Sequence, residues 1–408
     1  LGAPAGRARG PVVAWHVLAV VASTAAMVPV FRRLVDVPDW MVLDTNDFPF
    51  HIRFAVEETS IVPLDVPAPH PLFHLGVALL HPLLGPSTAA VVVVSAAVAL
   101  TAAALITVVD RPVGGEPPMT GAWAASFAVV WILAESPTLL LRRLTGDEGP
   151  FAILHFWGSP TEVVMVPLAI LTALVIGDMV ERPDRYHARR GLRVGVVVLV
   201  VLTALAKPSL ALITAPSIVL LVLVSPRWRA ARPRQLFTVV VLPSVLMAVA
   251  QTLFLALGPV PTGRSGFAFA PFEVVGEVFA LAGPDFWVLL LLMVIVWFAL
   301  RPRLRTDPSF QVAVTGLLVA LPPMLLLAET GPRADDRALL KLGFAAGTMV
   351  SVFLLRACWF ELRARSTADR RGPVGSDAWR GWVALGFVVL IVAGGAVGHL
   401  QALGAVSQ

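Results

Sequence analysis

Residues 88–109 read TAAVVVVSAAVALTAAALITVV and contain no charged side chain. An α-helix needs about 20 mostly apolar residues to cross the hydrocarbon core of a bilayer, so this stretch predicts a membrane-spanning helix. Strands of a transmembrane barrel would alternate apolar and polar residues, whereas this run is continuous. The fold class then follows from how often such runs recur along the chain.

Similar runs recur throughout the chain, which has 408 residues, 57% of them hydrophobic and only 14% charged. Soluble globular domains carry about 25% charged residues. The sequence therefore predicts an all-α polytopic membrane protein that forms a single integral-membrane domain over residues 1–408. About eleven transmembrane helices are expected, at 14–30, 88–109, 120–136, 161–179, 194–206, 208–225, 236–258, 285–300, 309–328, 340–356 and 381–400.

The charged residues indicate an orientation for these helices. The chain contains 31 Lys and Arg against 26 Asp and Glu, and its only lysines are Lys207 and Lys341. With the N-terminus in the cytoplasm, most arginines fall in inner loops and most acidic residues fall outside, as the positive-inside rule requires. We therefore predict a multi-pass protein of the cytoplasmic membrane, in contact with the lipid bilayer and with no nucleic-acid partner.

The longest irregular segment is a predicted outer loop at 31–87, and a second loop, at 357–380, is predicted to be cytoplasmic. Within the outer loop, residues 71–85 are too short to span a bilayer and predict an interfacial helix along the membrane surface. His70, His74 and His81 share one face of that helix, which favours an interfacial polar stripe over a zinc site.

Two places concentrate polar chemistry among the apolar runs. Residues 43–55, LDTNDFPFHIRFA, follow the first helix and contain Asp44 and Asp47. A carboxylate at the membrane boundary can act as a general base, or it can simply be a solvated loop acid or a helix cap. Lys207 falls between two apolar runs, where its charge needs an anionic partner such as a lipid phosphate, unless it reaches the interface by snorkelling.

These stretches resemble the glycosyltransferase C superfamily, which comprises polytopic enzymes that use polyprenyl-phosphate-linked sugars. In the first outer loop of that family an acid is followed by an aromatic residue or His, and then by Ala eight residues after the acid; Asp47, His51 and Ala55 match this spacing. The family often has Lys followed by Pro or an aromatic residue between two later helices, as in Lys207-Pro208. Phe48 replaces the usual acidic neighbour, which leaves open whether Asp47 or Asp44 is the base.

The resemblance implies an inverting sugar transfer at the outer face of the membrane, from a polyprenyl-phosphate sugar donor to a glycan, lipid or protein acceptor. It makes Asp47 the preferred base, with Asp44 as the alternative. We predict that a second set of residues, of which Glu148 and Arg264 are not part of the resemblance, binds substrate or phosphate: Lys207, His51, Arg53, His155, Trp157, Glu148 and Arg264. Trp157 can equally be an interfacial belt residue, and Glu148 can be an exposed turn acid or contribute to a divalent-cation site.

The main alternative is a polytopic transporter or flippase of lipid-linked or small polar substrates. Such a protein would place acidic residues in the middle of its membrane spans. In this sequence the acids instead cluster in the predicted outer loops. A membrane scaffold without catalysis is a further alternative, and it would tolerate neutral replacements of Asp44, Asp47 and Lys207.

Overall fold

The three-dimensional description rests on a computed structural model of the chain. It describes residues 9–36, 48–59, 71–111, 118–133, 159–257, 266–270, 291–330, 338–367 and 378–402.

The described residues up to Ala230 form ten helices. They are α1 Arg9–Asp36, α2 Phe48–Glu57, α3 Leu72–Leu84, α4 Pro86–Val109, α5 Ala122–Leu133, α6 Pro160–Glu181, α7 Pro183–Ala188, α8 Arg190–Ala206, α9 Pro208–Val224 and α10 Pro226–Ala230. Several of these helices begin with proline, whose fixed φ angle and missing N–H suit the first helical position. Gly85, at a φ of +77°, makes the sharp turn between α3 and α4 that other residues would adopt only with strain.

The second half is also helical, with one small sheet. It contains α11 Pro233–Leu236, which continues through a π-helical turn at Phe237–Val241 into α12 Leu242–Leu257, then β1 Gly266–Phe269, α13 at 291–304, α14 Pro308–Leu326, β2 Leu327–Thr330, α15 Ala338–Thr367 and α16 Ala378–Ala402. Strands β1 and β2 pair antiparallel, with Gly266 opposite Thr330. The all-α prediction did not include this sheet, and its second strand begins inside the predicted span 309–328.

Every one of the eleven predicted spans contains helix in the structure. Among the described residues, six helical segments are long and apolar enough to cross a bilayer: Pro11–Asp36, Pro86–Val109, Pro160–Glu181, Pro233–Leu253, Pro308–Leu326 and Ala345–Ser366. The protein is therefore a helical multi-pass membrane protein, while the number of eleven crossings stays a prediction. Helix α3 lies within the predicted 71–85, and its position along a membrane surface likewise stays a prediction.

The predicted cytoplasmic loop at 357–380 was placed too early in the chain. Helix α15 continues to Thr367 because Cys358, Trp359 and Phe360 are buried in the core. The next residue is Glu361, whose carboxylate pairs with Arg303 of α13 and with Arg365 of its own helix. The residues from 368 to 377 lie outside the described part of the chain.

Helices α4 and α6 run in the same direction and give the bundle two recognisable ends. Arg111 follows α4, and its Nη2 lies 3.8 Å from Asp178 Oδ1 near the end of α6. We call this the Asp178 end, and we call the opposite end, where α4 and α6 begin, the Lys207 end. Next to Asp178, α6 packs closely on α14, since a β-carbon added at Gly177 would overlap Ser309 Oγ.

Candidate functional site

Lys207 is the single extended residue between helices α8 and α9. Its backbone has φ −154° and ψ 116°, because the following Pro208 disfavours the helical region for the residue before it. The interruption turns the lysine side chain into the bundle, where the residue is only 9% exposed. A proline thus places a buried cation at a break between two apolar helices.

Glu162 is the partner of this lysine in the structure. Lys207 Nζ donates to Glu162 Oε1 over 3.1 Å, and the two side chains are 11% and 16% exposed. Glu162 lies in the first turn of α6, where the helix dipole favours a negative charge. Neither charge is fully removed from water, so the pair is a partly exposed polar site among apolar helices.

A second polar pair lies on the helices that precede α4. His51 of α2 and His74 of α3 are both buried, and His51 Nδ1 lies 3.0 Å from His74 Nε2. In such a hydrogen bond one nitrogen donates and the other accepts, so the two facing nitrogens carry one proton between them. Imidazoles arranged in this way can orient a neighbouring group or pass on a proton near neutral pH.

An aromatic cluster fixes this histidine pair. Phe48 of α2 packs against Phe31 of α1 and Phe73 of α3, with ring centroids 5.9 and 6.5 Å apart. The expected polar stripe on α3 is wrong for His74, which is 1% exposed and faces the core. At His74 the helix face points inward because α2 covers it, whereas His81 remains half-buried.

Arg53 of α2 lies two residues after His51 and is exposed. It lines a groove of about 230 Å³ together with Glu57 of α2, Val35 of α1, and Pro86 and Ser87 at the start of α4. The groove therefore opens where α1, α2 and α4 meet, at the Lys207 end of the bundle.

The two polar pairs belong to the same end of the molecule. Helix α3, which holds His74, contacts both α6 and α8, the helices that bring Glu162 and Lys207 together. Of the residues predicted to form the site, the structure therefore brings His51, Arg53 and Lys207 to one end of the bundle.

The remaining predicted site residues lie outside the described part of the chain. They are the candidate bases Asp44 and Asp47, and the candidate binding residues Glu148, His155, Trp157 and Arg264. Their roles stay predictions. Within the described residues, no three His, Cys, Asp or Glu side chains come together in a way that could hold a metal ion.

The Asp178 end carries an ionic network that the sequence analysis did not identify. Asp178 is 2% exposed, accepts a 2.7 Å hydrogen bond from Tyr186 Oη, and lies within ion-pair distance of Arg111, Arg182 and Arg185. Burial and this hydrogen bond raise the pKa of the Tyr186 hydroxyl, so it stays a proton donor. The sequence signal was a lone acid inside a predicted span, which is costly without partners.

A second buried pair completes this network. Arg356 of α15 donates from Nη1 to Asp307 Oδ2 over 2.8 Å and from Nη2 to the backbone carbonyl of Arg111 over 2.9 Å. Asp307 also caps α14 by accepting from the backbone N–H groups of Ser309 and Phe310. The network therefore joins the ends of α4 and α6 and the interior of α15 to the start of α14, and its charged groups pair mainly with one another.

Comparisons with known proteins add no family to this picture. No protein-family model matches the chain, and no curated protein matches it. What the structure defines is the class, a helical multi-pass membrane protein with one polar site at the Lys207 end and an ionic network at the Asp178 end.

Proposed function

We propose that the protein is an inverting membrane glycosyltransferase that moves a sugar from a polyprenyl-phosphate donor to a cell-envelope acceptor. The reaction takes place at the Lys207 end, on the outer face of the cytoplasmic membrane. The observation that carries this proposal is the Lys207–Glu162 pair, a partly exposed cation at a break between two apolar helices. A lipid-linked donor requires a phosphate-binding cation at the level where its tail enters the bilayer.

Proton and bond changes assign the roles in the proposed reaction. The Asp47 carboxylate, or that of Asp44, accepts the proton of the acceptor hydroxyl while the hydroxyl oxygen attacks the anomeric carbon. The bond from this carbon to the phosphate oxygen breaks, and polyprenyl phosphate leaves with the electron pair. Attack opposite the leaving group inverts the configuration of the sugar.

Lys207 stabilises the negative charge that develops on the leaving phosphate. In the absence of donor, the Glu162 carboxylate compensates the charge of the buried Lys207 ammonium group. When the donor binds, its phosphate either displaces this carboxylate from Lys207 or binds Lys207 beside it. His51, which shares a proton with His74, orients the base or the acceptor hydroxyl. Arg53, which lines the groove between α1, α2 and α4 at this end of the bundle, contributes a second cation.

The positions of the acidic residues support this proposal over transport. A transporter that couples to ions would use carboxylates in the middle of its spans. In the part of the chain that the structure describes, acids within helices lie near a helix end, as do Glu162 and Asp178. At the Asp178 end, moreover, Asp178 and Asp307 are held by arginines and hydrogen bonds.

The test is a transfer assay on the full chain in nanodiscs, with a panel of radiolabelled polyprenyl-phosphate sugars. Wild type is compared with Asp47→Asn, Asp44→Asn and Lys207→Ala. Arg32→Ala is the matched control, because Arg32 is an exposed cation on α1 near the same end and is not part of the proposed site. Monodispersity in size-exclusion chromatography verifies that each variant folds.

Turnover or donor hydrolysis by wild type and by Arg32→Ala is expected, with loss in Lys207→Ala and in one of the two aspartate variants. Loss of transfer activity in Asp44→Asn but not in Asp47→Asn would support the glycosyltransferase proposal and assign Asp44 as the base. If no donor in a broad panel binds or reacts, the glycosyltransferase proposal fails and transport becomes the leading function.

A further inference from the structure

Two arginine-rich connectors lie side by side at the Asp178 end. The first, residues 182–193, links α6 to α8 and contains Arg182, Arg185, Arg189, Arg190 and Arg193 against one acid, Asp184. The second, residues 225–236, links α9 to α12 and contains Arg227, Arg229, Arg232 and Arg234 with no acid. We call the two connectors together the arginine surface.

A direct contact and a shared core hold the two connectors together. Arg232 Nη2 donates to Asp184 Oδ1 over 2.6 Å. Beneath this contact Tyr186 of α7 and Trp228 of α10 are buried in the same hydrophobic cluster, and Trp228 Nε1 donates to Gln311 Oε1 over 2.6 Å. The arginine surface is therefore one folded unit with fixed anchors.

Several arginines of this surface lack a counter-charge. Arg189, Arg190, Arg229 and Arg234 form no ion pair with any other described residue and are exposed. Orientation in the membrane requires cationic loops, but it does not require them to be folded against one another. Arg232 also has a φ of +56°, a left-handed conformation that costs a non-glycine residue free energy and that the fold nevertheless keeps at the contact between the connectors.

The apolar neighbours of the arginine surface fix its depth. Exposed Val194 follows Arg193 at the start of α8, exposed Phe237 follows the second connector, and exposed Leu223 and Val224 precede it. Large exposed apolar side chains on a membrane protein face lipid tails. The arginines therefore lie at the boundary between lipid tails and water, which is where headgroup phosphates lie.

We propose that the arginine surface binds the headgroups of anionic phospholipids in the leaflet at the Asp178 end. The reasons are its uncompensated positive charge, its rigid connection and its position at the edge of exposed apolar helix faces. Clusters of arginine and lysine directly beside a membrane helix attract acidic lipids by about 1 kcal/mol for each charge, which corresponds to roughly fivefold in affinity. This inference does not depend on the proposed glycosyl transfer, because the site lies at the other end of the bundle.

The experiment uses the full chain purified in detergent, offered equal amounts of phosphatidylglycerol and phosphatidylcholine, with retained lipids counted by native mass spectrometry. The test variant is Arg190→Gln/Arg229→Gln, which removes one unpaired cation from each connector. The control is Arg32→Gln/Arg301→Gln, which removes the same charge from exposed positions outside the surface. If the test variant does not fold, Arg189→Gln/Arg234→Gln replaces it.

Wild type and the control are expected to retain phosphatidylglycerol in preference to phosphatidylcholine, and rising salt should weaken that preference. The test variant should lose about tenfold or more of the preference, at roughly fivefold for each arginine. Equal losses in test and control variants would overturn the proposal, since net charge alone would then explain binding. No preference in wild type, or full competition by inorganic phosphate, would overturn it as well.

Discussion

The two ends of the bundle use charge in opposite ways. At the Asp178 end, the buried carboxylates of Asp178 and Asp307 are surrounded by arginines, a tyrosine and backbone groups that satisfy them. At the Lys207 end, a lysine and a glutamate share one contact, and both retain some exposure. The first arrangement satisfies its charges with several partners, whereas the second leaves a partly exposed pair with a single contact.

This difference separates stability from function. A buried ion pair adds little stability over apolar residues of the same shape, but removing one partner is costly because a charge is left without compensation. At the Asp178 end the buried charges connect several helices. A single replacement there should therefore disturb several helix contacts at once and lower the free energy of unfolding most. The Lys207 end concentrates a similar cost in one pair, which is where the proposed function places the donor phosphate.

The largest expected effect is the loss of Arg356. Arg356→Leu leaves Asp307 buried without its cation and removes the hydrogen bond to the Arg111 carbonyl, so the free energy of unfolding should fall by about 3–5 kcal/mol. A denaturant titration in detergent micelles, followed by circular dichroism, measures the change. The control is Arg365→Gln on the same helix, whose pair with Glu361 is exposed and should contribute only about 0.3–0.5 kcal/mol. Equal effects of the two variants would mean that the Asp178 end is not the ionic network described.

A smaller effect is expected at the other end. Lys207→Ala leaves the Glu162 carboxylate partly buried without its donor, and the free energy of unfolding should fall by about 2–3 kcal/mol in the same titration. The double variant Lys207→Met/Glu162→Leu removes both charges and should recover most of that loss, since paired buried charges replaced by apolar residues often restore stability.

The variant Lys207→Met/Glu162→Leu also sharpens the comparison between the two ends, because it should be stable and yet fail to transfer sugar. The corresponding change at the Asp178 end, Arg356→Met/Asp307→Leu, should remain destabilised, since Asp307 also caps α14. Full transfer activity in a stable Lys207→Met/Glu162→Leu protein would remove the lysine from the proposed mechanism.

The smallest expected effect concerns an acid of the Asp178 end outside the network. Burial raises the pKa of the Asp110 carboxyl, and the charge of His16 lowers it by less. The folded protein then holds this proton more tightly than the unfolded chain, so this group favours folding at acidic pH, and that contribution is lost as pH rises through the raised pKa. Asp110 also ends α4, where a negative charge opposes the helix dipole.

Asp110→Asn should therefore stabilise the protein by about 0.5 kcal/mol at neutral pH and remove this part of the pH dependence. Unfolding titrations at a series of pH values measure both changes. Asp184→Asn is the control, because Asp184 is exposed and pairs with Arg232, and it should produce no stabilisation. A loss of stability in Asp110→Asn would show that this carboxylate is a member of the ionic network.

The sequence predicts the helices well because membrane spans are local. Each apolar run forms a helix, and the largest shift of a boundary is at α15, whose buried aromatic residues Trp359 and Phe360 extend the helix past the expected loop. Composition cannot show that residues beyond a charged Arg356 are packed against a neighbouring helix. The β1–β2 pairing was missed for a similar reason, since it depends on two segments that are distant in the sequence.

The site was predictable only in part. The apolar surroundings of Lys207 correctly indicate the need for an anion, but Glu162 is 45 residues away and is brought near only by the packing of α6 and α8. The pair Asp307–Arg356 is separated by 49 residues in the same way. His74 could be assigned to a helix face from its spacing, but whether that face points to water or to α2 depends on tertiary structure.

If α8 and α9 both cross the bilayer, as the sequence predicts, the interruption at Lys207 also limits the thickness of bilayer that the protein can serve. Helices α8 and α9 have 17 residues each, and at 1.5 Å per residue each is roughly 26 Å long. A typical hydrocarbon core is about 30 Å thick, so the lipids around this hairpin must thin locally or the lysine is drawn below the headgroups. We therefore expect the protein to partition into thin membranes and to bring lipid phosphates down to the level of its own cation.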